Sequence, residues 1–165
     1  MAGPSWTTGS PWSRPGWLAG VLLLASPSRP ELAGRGRLSV VAIALRLAAA
    51  GLLVWIGYIH WHLWGAEGYK YIPTNGPLFL VDAIVAVVMA VLLLVWARPL
   101  TGLLAAGFTV STIGALVISL WVGLFGFRES ISAYFVVQSL VLESVTAVIL
   151  AAWTVIAATA VPRRR

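Results

Sequence analysis

Residues 78–97 read LFLVDAIVAVVMAVLLLVWA, a run of twenty in which Asp82 is the one ionisable side chain. At about 1.5 Å per residue, a helix of that length covers about 30 Å, the thickness of a bilayer's hydrocarbon layer. Apolar on every face, it has no polar stripe to turn toward water, so its solvent is lipid. Residues 38–58, 100–127 and 131–161 have the same character. The sequence therefore predicts an all-α integral membrane four-helix bundle, with spans at about 38–60, 77–97, 100–126 and 132–161 inside a transmembrane domain of residues 37–162.

Composition agrees: 60% of residues are hydrophobic, 10% are charged and the mean hydropathy is +0.94. Zero cysteines exclude disulfides, thiolate metal sites, iron–sulfur clusters and covalent c-type haem. The net charge of +6 does not imply nucleic acid, because the basic residues flank the spans and set orientation. Arg14, Arg29, Arg35, Arg37, Arg98, Arg163, Arg164 and Arg165 fall on one side, against Lys70 and Arg128 on the other. That bias predicts cytoplasmic termini and an outward loop at 60–77.

Residues 1–36, with Pro4, Pro11, Pro15, Pro27 and Pro30, read as a disordered Pro/Gly/Trp-rich tail. Its apolar run at 17–25 is too short to span. It reads as an interfacial anchor with Trp6, Trp12 and Trp17 among the headgroups, as a signal h-region, or as an extension upstream of the true start. Residues 163–165 form a basic C-terminal tail. Ahead of the second span, Thr74 or Asn75 suits a helix cap, Gly76 a tight turn and Pro77 a first helical position.

Charge inside a span costs about 2.5–3.5 kcal/mol unless it is paired, which singles out Arg46, Asp82 and Glu143. Depths counted from the span ends bring Arg46 and Glu143 within an arginine's reach, so the sequence predicts a buried Arg46–Glu143 ion pair, with Asp82 and Gln138 in the same polar network. Asp82, nearer the outer surface, meets water or His60. Helical spacing puts Arg46, Ala50, Leu53, Gly57, His60 and Trp64 on one face of the first span, and Ser132, Ser139, Glu143, Thr146 and Thr154 on one face of the fourth. Thr112, Ala115, Ser119 and Gly123 form a small-residue stripe on the third, expected to let helix backbones approach. The segments 82–90 and 143–151 echo each other, DAIVAVVMA against ESVTAVILA, which suggests two tandem hairpin repeats.

At the outer boundary Tyr58, His60, His62, Lys70 and Tyr71 form a second candidate site, within an aromatic belt suited to the headgroup layer. His60 and His62 point to different sides of a helix, and no third histidine exists. Neither a shared metal nor axial haem ligation on facing helices follows. No hydrolase, zincin or phosphate-loop motif is present, so no catalytic residue, metal or cofactor is assigned.

The run at 71–80, YIPTNGPLFL, following HWHLW at 60–64, with GFRE at 126–129 and Glu143 in the last span, resembles small four-span membrane proteins of actinobacteria that have no assigned activity. The resemblance covers Arg46 to about Ala151. It implies a bacterial plasma-membrane protein, with Asp82 standing where an uncharged amide is expected in that group.

Three functions fit these readings. The first is a non-catalytic accessory or structural bundle that meets lipids and a protein partner, or a second copy, through its helix faces. The second is a small proton-linked transporter using Glu143, Asp82 and Arg46. The third is a quinone- or lipid-associated redox subunit.

Overall fold

The computed structural model describes residues 20–21 and 37–159. The expectations for the rest of 1–36, including Trp6, Trp12 and Trp17, and for 163–165 lie outside the described residues. Four helices follow: α1 (Arg37–Gly65), α2 (Asn75–Val95), α3 (Pro99–Trp121) and α4 (Val136–Thr159), with a 3-10 turn at Tyr69–Tyr71 between α1 and α2. All four are long and apolar enough to cross a membrane. Among the described residues no strand forms beyond an isolated bridge between Leu124 and Phe127. The chain is thus a multi-pass helical membrane protein. Its flanks carry Val81, Ile84, Val88 and Val91 exposed, a surface that only an apolar solvent makes cheap.

Local chemistry sets where each helix ends. Pro99 opens α3 at a position where its missing N–H costs nothing. At the far end the N–H groups of Val122 and Gly123 both donate to the Ile118 carbonyl, with Gly123 left-handed at φ +88°. Phe125 and Gly126 then turn the chain with φ of 50° and 79°, closing the Leu124–Phe127 bridge. The third span therefore ends five residues before the expected 126, and Gly123 sits beyond the helix instead of on its stripe. Conversely α1 runs on to Gly65. Thr74 caps α2 without a side-chain bond, and the Asn75 amide instead donates to the Leu124 carbonyl at 3.1 Å.

The helices form a ring in chain order. The hairpins α1–α2 and α3–α4 are the most closely packed pairs, α1 also meets α4, and the α2–α3 seam is the thinnest. Two close approaches fix the register. Gly57 of α1 lies against Ala83, Ala86 and Val87 of α2, and Gly102 of α3 lies against the Trp153 ring and Thr154 of α4. The end of the bundle at the Arg98–Pro99 connection holds the apolar core, with Ala49, Leu53, Leu93, Ala105, Leu150 and Trp153 all 0% exposed.

Candidate functional site

At the opposite end, beneath the 3-10 turn, the helices part around a cavity of about 100 Å³, measured as space open to the centre of a water-sized molecule. Counting from the close approaches shows what meets there. Ten residues on from Gly102 is Thr112, and ten back from Trp153 is Glu143, so these two are level on antiparallel neighbours. By the same reasoning His60, three residues past Gly57, is level with Asp82 of α2. All four side chains line the cavity, one from each helix. Asp82 and Glu143 each lie seven residues inside their helices, about 10 Å from the end.

Glu143 is 1% exposed and its Oε2 has no hydrogen-bond partner. The Thr112 hydroxyl is beside it, but the single Thr112 proton goes to the Thr109 carbonyl at 2.8 Å. Thr146, one turn on, likewise spends its proton on the Leu142 carbonyl. The His60 Nδ1–H donates to the Ile56 carbonyl at 2.9 Å, which leaves Nε2 for the cavity and for Asp82, its electrostatic neighbour. Ser119 and Ser139 are buried and line the same space.

The cavity's roof comes from the two longer connections. Gly76 makes room for it: a Cβ there would stand 2.8 Å from the Tyr69 and Lys70 carbonyl oxygens, so only glycine lets the 3-10 turn lie on the start of α2. Tyr69 packs on Phe79 (ring centroids 4.7 Å apart) and on Phe127 (5.9 Å), and its hydroxyl donates to Glu129 Oε2 at 2.7 Å. Burial, then that bond and the Glu129 charge, push the Tyr69 phenol well above its ordinary range, so it remains a donor. Glu129 is anchored by its own N–H to the Ser119 carbonyl at 3.1 Å.

The expected polar network is thus only partly assembled. Arg46 is eleven residues before Gly57, about 16 Å down α1, which sets it level with Trp96 at the connector end. Glu143 borders the cavity at the opposite end. Arg46 does not line the cavity that Glu143 borders. The depth of Arg46 counted from Leu38 is revised by the structure, because α1 extends past Tyr58 to Gly65 and its register against α2 is set by Gly57. Gln138 is exposed and leaves the network too.

The outer-face group divides as well. His60 faces the cavity, whereas Tyr58 is exposed and stacks near His62 at 5.8 Å. His62 stands 3.5 Å from Glu67 and edge-on to Phe135. Lys70 rests over the rings of Trp64 and Tyr71, at 5.9 and 5.2 Å. The small stripe on α3 takes a role other than packing: Thr112, Ala115 and Ser119 line the cavity. Sequence reasoning missed Phe79, Phe127 and Glu129 as cavity residues. The two glycines at 123 and 126 were the available signal, since they end the helix and return the chain over it.

Fold and site together define a multi-pass helical bundle with an acid-lined cavity near one end of its spans. Compared with known protein families, curated proteins and solved structures, the chain has no match.

Proposed function

We propose that this protein is a small proton-linked carrier whose cavity takes up a cation at Glu143. The observation that carries the reading is the Glu143 carboxyl, 1% exposed, with one oxygen lacking any partner and a cavity in front of it. A carboxyl in that setting does not hold bare charge; it holds a proton or a cation, and exchange between the two is the elementary step of a proton-linked carrier. The ionisable groups facing it are His60 of α1, Asp82 of α2, and Tyr69 and Glu129 of the connections; α3 contributes only hydroxyls. Arg46 has no place in this site. The accessory-bundle reading, favoured by short loops and the lack of a catalytic constellation, gives no role to a buried carboxyl facing a cavity, and Tyr58, which the redox reading joined to His60 and Asp82, is exposed and does not line that cavity.

The surplus of Lys and Arg beside the termini and the 98–99 connection supports a bacterial plasma-membrane location with both termini cytoplasmic, which opens the cavity end outward. A cytoplasm-only reporter fused after Arg165 should be active, and silence would invert the orientation. The carrier itself is tested in liposomes holding a trapped pH-sensitive dye. Pulses of sodium, potassium and n-butylguanidinium are compared with the same pulses on protein-free vesicles. At least one should drive proton efflux through the wild-type protein and none through Glu143→Gln. No protein-dependent response to any of the three, or an unchanged response in the variant, contradicts the reading.

A further inference from the structure

The cavity's hydrogen-bonding inventory is lopsided. The protons of Thr112, Thr146, His60 Nδ1 and Tyr69 and one proton of the Asn75 amide are already committed, to the carbonyls of Thr109, Leu142 and Ile56, to Glu129 and to the Leu124 carbonyl. What remains open is mostly acceptor: Glu143 Oε2, the Asp82 carboxyl, His60 Nε2 and the lone pairs of Thr112. The second Asn75 N–H and the rotatable hydroxyls of Ser119 and Ser139 are the donors left among these residues. Such a site is completed by something that brings N–H or O–H groups and positive charge.

The walls narrow the choice. Phe79, Tyr69 and Phe127 stack in sequence along one side, and ring faces attract organic cations. Leu63, Leu78 and Leu116 supply apolar surface that a hydrated metal ion gains nothing from. Among the described residues no group of three or more His, Asp or Glu has the arrangement to hold a metal ion. The volume of about 100 Å³ exceeds what a lone ion needs, since one water takes about 10–15 Å³ on that measure.

We infer that the cargo is a monovalent organic cation bearing N–H donors on a short apolar tail, an alkylammonium or alkylguanidinium, held with its charge between Glu143 and Asp82 and its tail against Phe79, Tyr69 and Phe127. This inference rests on the carrier reading and specifies its substrate class. No covalent step is involved: the cation enters as a proton leaves.

Two probes with one tail separate the terms. n-Butylguanidinium has N–H donors and a permanent charge, so it does not cross the lipid as a neutral base; n-butyltrimethylammonium has the charge and tail without donors. Binding is read as the rise in melting temperature of the detergent-purified full chain with added ligand, and exchange by the dye assay above. n-Butylguanidinium should bind at least about tenfold more tightly than n-butyltrimethylammonium or sodium, the scale of one charge-assisted hydrogen bond. Glu143→Gln should abolish its binding, and Phe79→Leu should weaken it about fivefold while leaving the fold intact. Equal binding of the two butyl cations overturns the inference. Proton exchange through Glu143 driven by sodium or potassium but not by n-butylguanidinium also overturns it and leaves the carrier standing. Absence of exchange with every cation removes both.

Discussion

The two ends of the bundle use small residues for opposite purposes. At the connector end, Gly102 and Ala105 of α3 admit the Trp153 ring, and a Cβ on Gly102 would stand 2.7 Å from Trp153 Cζ3. At the loop end of the same helix, Thr112, Ala115 and Ser119 face no large partner and border a cavity. What differs is what the opposite helix offers. α4 presents Trp153 and Leu150 at one level and Ser139 and Glu143 at the other. The α2–α3 seam is pinned by the short Arg98–Pro99 connection at the first level and carries the Asn75 to Leu124 bond at the second. One end is a dry, close-packed anchor, and the other is a hollow with its polar atoms unspent.

That contrast is easiest to break at Gly102. Gly102→Val forces two methyl groups into the Trp153 ring and should cost about 3 kcal/mol, the upper end for overpacking, seen as a large fall in melting temperature in mild detergent. The cavity end predicts the reverse sign for its most buried charge-bearing group. Glu143→Gln removes a buried carboxyl with one oxygen left unpartnered and should raise stability by about 1.5 kcal/mol in the absence of ligand; a loss of that size would mean that Glu143 is a structural contact.

Smaller effects sharpen the roof. Tyr69→Phe deletes the bond to Glu129 and should cost about 1 kcal/mol at neutral pH, read by detergent melting. Because the folded-state affinity of Tyr69 for its proton is raised above the ordinary value of 10.0, this contribution is complete below about pH 10 and is lost as pH rises past it. The gap between wild type and variant should therefore close in alkali. Smallest of all is the coupling of Arg46→Gln with Glu143→Gln. With Glu143 on the cavity and Arg46 outside it, their effects should add to within about 0.5 kcal/mol.

The class of fold was legible in the sequence because hydrophobic length is a strong signal: 78–97 has no soluble reading. Inward faces were legible too. Ala50, Leu53, Gly57 and His60 are buried on one stripe of α1, and Ser139, Glu143 and Thr146 on one stripe of α4, as a period of 3.6 requires. Register was not legible. Periodicity says which face a residue occupies and nothing about how far a helix slides along its neighbour. That offset is fixed by individual close approaches at Gly57 and Gly102, which composition does not distinguish from the chain's other glycines. The depth of Arg46 changed with this slide. The roof escaped for a different reason, since bonds such as Tyr69 to Glu129 join residues sixty apart in loops that carry no period.

The central claim is that Glu143 borders a water-accessible hollow while the connector end is dry. The absence of cysteine from the chain makes single-cysteine labelling clean. Ser139→Cys, one turn from Glu143, and Ala105→Cys, in the apolar core, are exposed in membranes to a charged methanethiosulfonate reagent, and the labelled fraction is followed by mass spectrometry. The account predicts labelling at 139, slowed by n-butylguanidinium, and none at 105; equal labelling at both positions, or none at 139, would contradict it.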